Sequence, residues 1–186
     1  MRLWIVLLLL TAVPAMATET AFPPTAPGVA EFKTLPAGVL LRTTGRGNYF
    51  EEANGLFRPL FGYISSRKIA MTTPVEVRVA PAAMYFWVAA SERPKVSGGT
   101  TEVEVIDVAE RHVASLGVRG SYSRENFEQA RDRLLAWLAH QPGVEAAGEP
   151  YAVYWDSPFT LWFAKRAEVH IPVRPLSGGG GTPSRG

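Results

Sequence analysis

The stretch Gly45-Arg46-Gly47-Asn48-Tyr49 is repeated later in the chain as Val118-Arg119-Gly120-Ser121-Tyr122, and the two copies lie 73 residues apart (119 − 46 = 73). Each copy follows an alternating apolar run and leads into an amphipathic segment. Beyond each segment comes a strand-like run through a Ser/Thr-Pro pair, Thr73-Pro74 in the first half and Ser157-Pro158 in the second. The repeat therefore predicts a duplicated unit, with a groove between its halves.

The apolar residues around each copy predict the same order of strands and helices. Helices are expected from about Tyr49 to Ile64, and from Ser123, which suits the N-cap position, to His140. The predicted strands are 31–35, 39–43, 75–79, 84–90, 103–105, 112–118, 151–155 and 168–173. In the third of these, Glu76 alternates with valines, which predicts one wet face. Two ββαββ units imply an α+β fold: a distorted, largely antiparallel barrel with two helices packed on it.

The two ends of the chain differ in composition from its middle. Residues 1–17 are predicted to be a secretory signal peptide, because a charged residue, a short apolar run and an Ala-x-Ala site follow one another. Residues 18–28 are rich in proline, and residues 175–186 are rich in glycine, serine and proline. Both segments are expected to be poorly ordered. Residues 29–174 are expected to form one domain. The mature protein is thus predicted to be exported, periplasmic or extracellular, without stable membrane insertion.

Charge and composition argue against several classes of function. The formal net charge of +2 falls to +1 when the signal peptide and its Arg2 are removed (2 − 1 = 1), and the basic residues are scattered, so no nucleic-acid partner is predicted. The chain has no cysteine and therefore neither a disulfide nor a thiolate metal site. Because the sequence has no G-x-S-x-G, H-E-x-x-H, Walker A or dinucleotide-binding motif, we predict a protein that is not an enzyme.

The first predicted helix has a wider apolar arc than the second. Its core stripe is Ala53, Leu56, Leu60 and Ile64, and the extension of the arc is Phe50, Phe57 and Phe61. Asn54 and Arg58 lie just beyond the edge of the arc. Aromatic rings beside an amide and a cation suit a flat apolar ligand that bears carboxylates. The alternative is that the phenylalanines fill the core and Arg58 is a solvated surface charge.

Two other stretches, Lys68 to Val75 and the segment between Asp156 and His170, resemble the SOUL/heme-binding protein family. Its members carry a K-I-x-M-T-x-P-V segment after the first helix, which Lys68 to Val75 matches. They also carry an N-S-P or D-P-P turn that runs through R-R-N-E-V-W, which Asp156-Ser157-Pro158 and Lys165 to His170 match in altered form. The resemblance covers about residues 29–173. It implies a distorted barrel of two pseudo-symmetric halves, and a heme or other tetrapyrrole held non-covalently in an apolar groove beside the first helix.

The resemblance also implies which residues contact the tetrapyrrole, and it leaves the metal ligand and any protein partner unknown. The expected binding residues are Asn54, Phe57, Arg58, Phe61, Met71, Trp162 and Phe163. The first strand lacks the histidine proposed as axial ligand in some relatives. His112, on a strand and expected to be buried, His140 and His170 are each interpreted as structural. The same architecture resembles the effector-binding domains of the GyrI-like group. A small-molecule sensing or partner-binding module is therefore the alternative function, and an enzyme acting on tetrapyrroles stays open as a third class.

Overall fold

A computed structural model of the chain describes residues 19–157 and 159–176. The predicted signal peptide and nearly all of the predicted C-terminal tail lie outside the described residues. The strands are β1 (Ala30–Leu35), β2 (Gly38–Thr44), β3 (Val75–Arg78), β4 (Ala83–Val88), β5 (Glu104–Val108), β6 (Arg111–Arg119), β7 (Val144–Ala146), β8 (Tyr151–Tyr154) and β9 (Arg166–Pro175). The α-helices are α1 (Tyr49–Ser66) and α2 (Arg124–Leu138), and short 3₁₀ helices span Ala90–Lys95 and Trp162–Ala164. In this part of the chain, no helix combines the length and apolar character that a membrane crossing requires.

The strands form one curled antiparallel sheet in the order β1-β6-β9-β8-β3-β4-β2-β5, with β7 paired to β9. Exchanging β1, β2, β3 and β4 with β5, β6, β8 and β9 gives the same order in reverse, so the two halves of the sheet have the same arrangement. The sheet is a half-barrel with β1 and β5 at its edges. The α+β class is confirmed, and duplication of the chain stays a prediction.

Side-chain caps fix where both helices begin. The side chain of Asn48 accepts a hydrogen bond from the backbone N–H of Phe50 at 3.0 Å. Ser123 accepts one from the backbone N–H of Asn126 at 3.2 Å, as predicted. Each cap satisfies one of the amide groups that the first turn of a helix leaves without a partner. The helix starts were therefore readable from the sequence.

The glycines of the first repeat copy allow a carboxylate to approach the backbone. Glu52 accepts hydrogen bonds from the backbone N–H groups of Arg46 at 3.1 Å and Gly47 at 2.7 Å. A Cβ atom on Gly45 would clash with this carboxylate. In the second copy Gly120 has φ = +130°, a conformation that favours glycine. The repeat thus encodes a turn that needs glycine for a different reason in each half.

Apolar side chains are buried on both faces of the sheet. On one face, which we call the helix face, the core includes Leu56 and Leu60 of α1 and Leu134 of α2. The opposite face, which we call the inner face, has a second core that contains Trp87 and Trp155. Among the described residues, neither α-helix contributes to this second core, so another part of the chain must cover the inner face.

Residues 19–28, which we call the N-terminal strap, cover the inner face. The sequence predicted a poorly ordered segment here, and the structure differs. Phe22 is 5% exposed, with its ring edge-on to Trp87 at 5.8 Å and to Trp155 at 5.4 Å. The backbone N–H of Thr25 donates to Glu168 Oε1 at 2.6 Å. The prolines therefore do not prevent order, because long-range contacts fix the strap.

The inner face also buries a residue that was expected to be wet. Glu76 on β3 is 4% exposed. Its carboxylate accepts hydrogen bonds from Trp87 Nε1 at 2.9 Å and from Arg111 Nη2 at 2.8 Å. The predicted wet face of β3 is wrong, because the sheet curls and the second core covers this face.

Candidate functional site

The predicted helix residues Asn54, Phe57, Arg58 and Phe61 lie on one side of α1, which we call the α1 flank. The ring of Phe57 is stacked on that of Phe61, with centroids 5.6 Å apart and planes 16° apart. Phe57 is half-buried and edge-on to Phe86 of β4 at 5.5 Å, whereas Phe61 is 50% exposed. Phe57 thus partly belongs to the core, but Phe61 does not, so the aromatic arc is wider than the packing of α1 requires.

The polar residues of the α1 flank are free to meet a ligand. Asn54 and Arg58 are exposed. Within the described residues, neither side chain has a hydrogen bond or an ion pair with another side chain. An amide and an unpaired guanidinium therefore border the two stacked rings, and a guanidinium binds carboxylates well.

Met71 lies in the segment that leads into β3, and the aromatic loop, which comprises residues 159–163, follows β8. Both segments lie at the same end of the sheet. Val75 of β3 pairs with Tyr154 of β8, so the segment before β3 and the loop after β8 begin side by side. Met71 is half-buried against the helix-face core. Trp162 and Phe163 are 68% and 55% exposed, and their rings contact each other edge-on at 5.8 Å. In the described part of the chain, no aromatic pair joins this loop to the α1 flank.

The three histidines lie away from the α1 flank. His170 is fully buried, and its Nε2 lies 2.6 Å from Glu168 Oε2. His140 Nδ1 contacts the carbonyl of Ala136 at the end of α2. His112 was expected to be buried, but it is exposed near the start of β6, and its Nδ1 lies 3.1 Å from Thr34 Oγ1. Among the described residues, no three His, Cys, Asp or Glu side chains come together as a metal site.

Three tyrosines that the sequence reasoning missed meet at the centre of the helix face. Tyr49 and Tyr122 end the two repeat copies, and both pack against Tyr154 of β8, with ring centroids 5.9 Å and 4.0 Å away. The Tyr154 hydroxyl is buried without a hydrogen-bond partner in the described residues. Burial raises the pKa of Tyr49 to about 12 and that of Tyr154 well above its ordinary value, so both phenols are neutral. The shared final tyrosine of the repeat was the signal for this cluster.

Glu168, on the inner face, is the centre of a buried polar cluster. Its carboxylate accepts hydrogen bonds from the Thr25 amide, Trp155 Nε1 at 2.8 Å, Ser115 Oγ at 2.9 Å and Lys33 Nζ at 3.1 Å, and it contacts His170. Burial alone would raise the pKa of Glu168. The hydrogen bond and charge of His170 and the charge of Lys33 outweigh burial and lower this pKa to about 2. The cluster therefore joins the strap to β1, β6 and β9 through one ionised carboxylate.

These observations define an α+β half-barrel protein with two stacked, partly exposed aromatic rings on one helix. A family model described as "SOUL heme-binding protein" matches residues 24–172, and the chain belongs to this family. No curated protein matches the chain.

Solved structures with a similar fold come from proteins of low sequence identity. The C-terminal domain of EcmrR aligns with a TM-score of 0.63 and 13% identity, covering 80% of this chain and 98% of that domain. The EcmrR chain in a complex with DNA gives a TM-score of 0.64 and 12% identity, covering 80% of this chain but only 58% of that chain. A structure described as a hydrolase from Listeria innocua gives 0.55 and 13%, covering 80% and 94%. At such identities the similarity concerns the fold alone.

Proposed function

We propose that this protein binds heme or a related tetrapyrrole on the α1 flank and sequesters or carries it. The observation that carries the proposal is the pair of stacked rings, Phe57 and Phe61, left partly exposed in a member of the SOUL heme-binding family. A porphyrin has a flat apolar face that covers two such rings and buries them from water. Its carboxylates are suited to Arg58 and Asn54.

Non-covalent contact is the mode of binding that the described residues favour. The α1 flank fits the plane and the carboxylates of a tetrapyrrole, and it contributes no histidine. We propose that Met71, Trp162 and Phe163 approach the same ligand from the neighbouring end of the sheet. In this proposal the aromatic loop moves against the ligand, since Trp162 and Phe163 are mostly exposed without it.

The cellular role that we propose is binding rather than catalysis, outside the cytoplasm. Membership of a family of binding proteins supports the first part. The composition of residues 1–17 supports the second, because it is that of a secretory signal peptide.

A hemin titration tests the proposal. We expect saturable binding with a shift of the Soret band. The double variant Phe57→Ala/Phe61→Ala should bind hemin roughly 30- to 150-fold more weakly, because losing two ring contacts removes ~2–3 kcal/mol. Arg58→Gln should weaken hemin binding a few-fold. The binding of metal-free protoporphyrin should depend on the same residues.

Matched variants control for the loss of an exposed ring or charge. Phe32 is 44% exposed and contacts Trp137, so Phe32→Ala removes a comparable ring far from α1. Arg133→Gln removes an exposed charge from α2. Both should bind hemin like the wild type. If the wild-type protein gives no saturable Soret shift, the proposed function is wrong; if the double variant binds normally, the site lies elsewhere.

A second candidate function is the sensing of an amphipathic cation by the tyrosine cluster. This architecture resembles the effector-binding domains of the GyrI-like group, and the fold match to the EcmrR C-terminal domain supports this alternative. Aromatic faces here already contact cations: Lys165 Nζ lies 5.0 Å from the centroid of Tyr122. A flat organic cation could replace this contact with Tyr122.

Thermal unfolding with two ligands separates the candidates. If the alternative is right, berberine, a flat cation, should raise the midpoint of unfolding, with a gain of about 2.7 kcal/mol at a concentration of 100 Kd. Protoporphyrin should then have no effect. Stabilisation by protoporphyrin and not by berberine would instead favour the tetrapyrrole proposal.

A further inference from the structure

The aromatic loop exposes large apolar side chains along nearly its whole length. Phe159 is 95% exposed and Leu161 is 63% exposed, and they precede the exposed rings of Trp162 and Phe163. Folded proteins seldom leave large apolar side chains together in water, and where they do, the patch commonly marks contact with a partner or a membrane. Phe159 and Leu161 have no role in the proposed tetrapyrrole site, so that proposal does not account for their exposure.

Hydrogen bonds fix the base of the loop, although its apolar side chains are exposed. The Asp156 carboxylate accepts a hydrogen bond from the backbone N–H of Arg166 at 2.6 Å and another from Arg166 Nη2 at 2.8 Å. The Tyr122 hydroxyl donates to the carbonyl of Arg166 at 2.9 Å. Because the two ends of the loop are already held together, contact with a surface requires little further ordering of the chain.

The base of the loop carries more cations than carboxylates. Lys165 Nζ lies 5.0 Å from the centroid of the Tyr122 ring. Arg119 of β6 is exposed and lies directly opposite Arg166 of β9 in the sheet. Asp156 pairs with Arg166, whereas in the described part of the chain neither Lys165 nor Arg119 has an ion pair. Three cations and one carboxylate leave a charge of +2 (3 − 1 = 2) beside the apolar loop.

We propose that the aromatic loop attaches the protein to the surface of a membrane that contains anionic lipids. Tryptophan and phenylalanine side chains partition into the boundary between headgroups and acyl chains, where an indole N–H can bond to polar groups. The Nε1–H of Trp162 has no acceptor among the described residues. Apolar side chains with cations behind them match an anionic bilayer, because the apolar groups enter it while the cations stay at the lipid phosphates.

Co-sedimentation of the mature chain, residues 18–186, with lipid vesicles tests the proposal without hemin. We expect the protein to bind vesicles of phosphatidylglycerol and phosphatidylcholine in equal parts, and to bind pure phosphatidylcholine roughly tenfold more weakly or less. Phe159→Ser/Leu161→Ser should weaken binding to the mixed vesicles roughly tenfold or more, because it removes side chains that enter the bilayer. Lys165→Gln should weaken it about fivefold, the factor for one cation near an anionic surface.

A matched control and a second measurement locate the contact. Phe32→Ser/Leu135→Ser removes a phenylalanine and a leucine that are 44% and 40% exposed on β1 and α2, and it should bind vesicles like the wild type. Brominated lipid in the mixed vesicles should quench the tryptophan fluorescence of the wild type. Trp162→Phe should lose this quenching, because Trp162 is the one exposed tryptophan of the described residues.

The proposal is overturned if the wild type binds neither kind of vesicle, or if Phe159→Ser/Leu161→Ser binds as the wild type does. Equal losses in this variant and in the matched control would also overturn it, as would quenching that persists in Trp162→Phe. Hemin binding by Phe159→Ser/Leu161→Ser should be unchanged, since neither side chain belongs to the proposed tetrapyrrole site. The lipid proposal does not rest on tetrapyrrole binding, and the two can fail separately.

Discussion

Glu168→Gln is expected to lower the free energy of unfolding by about 3–5 kcal/mol, the usual cost of breaking a buried ion pair. The Glu168 carboxylate is fully buried and accepts four hydrogen bonds, and three of the donors, the Thr25 amide, Trp155 Nε1 and Lys33 Nζ, cannot accept one. A glutamine would direct an amide N–H₂ at some of these donors, and it would leave the charge of Lys33 without its partner. Urea unfolding followed by circular dichroism measures the change.

The pH dependence supplies an independent check. The pKa of Glu168 is lowered from 4.5 to about 2, so its ionised form stabilises the fold above pH 4.5, and this contribution is lost as the pH falls toward 2. A pKa shift of this size corresponds to roughly 3 kcal/mol of folding free energy, within the range of about 3–5 kcal/mol expected for breaking the buried ion pair. The difference between wild type and Glu168→Gln should therefore shrink over this pH range.

An exposed ion pair provides the matched control. Glu145 Oε1 lies 2.8 Å from Arg174 Nε, and its side chain is 38% exposed. Glu145→Gln should change the free energy of unfolding by less than about 1 kcal/mol. Equal losses from the two variants, or a difference that persists at pH 2, would contradict the structural role of the Glu168 carboxylate.

Phe22→Ala is expected to destabilise the protein by about 3 kcal/mol, although a sequence-based view of the strap predicts no effect. Phe22 fills the space between Trp87 and Trp155, and removing a buried phenylalanine leaves a cavity. The loss is limited by the free energy that holds the strap, because the strap can detach while the sheet stays folded. Urea unfolding gives the global change.

Hydrogen exchange locates the effect of Phe22→Ala. The amides of Ala21, Thr25 and Gly28 donate to Thr73 O, Glu168 Oε1 and Gly117 O. In the variant these three amides should exchange roughly 150-fold faster, which is the factor that corresponds to 3 kcal/mol. Phe32→Ala, which removes a half-exposed ring, should leave them protected. Unchanged exchange in Phe22→Ala would show that other contacts hold the strap.

Most of the secondary structure could be predicted from the sequence, because periodicity and capping are local. The alternating valines predicted β3, and apolar spacing predicted the start of α1, which ends at Ser66, two residues later than expected. Ser123 was predicted as an N-cap from its residue type. The short strand β7 was missed, since its three residues carry no periodic signal. The order of strands in the sheet depends on pairing between distant segments, and the sequence pattern offers only the repeat as a guide to it.

The candidate site was predictable in part. The α1 flank was visible because four residues at helical spacing share one side of the helix. The tyrosine cluster was not, since Tyr154 joins Tyr49 and Tyr122 only when β8 lies beside β3 at the centre of the sheet. The relation of Trp162 and Phe163 to the α1 flank also stays a prediction, as no aromatic contact in the described part of the chain links them.

The sequence by itself determined which residues share a face of each element, including the side of α1 that carries Phe57 and Phe61. Only the tertiary structure decided which faces meet water. Alternation in β3 and β9 places Glu76 and Glu168 opposite the apolar residues, but it does not say what covers them. The sheet curls and the N-terminal strap closes over it, so both carboxylates are buried and paired. Burial depends on contacts such as Thr25 with Glu168, which are 143 residues apart in the chain and have no local signature.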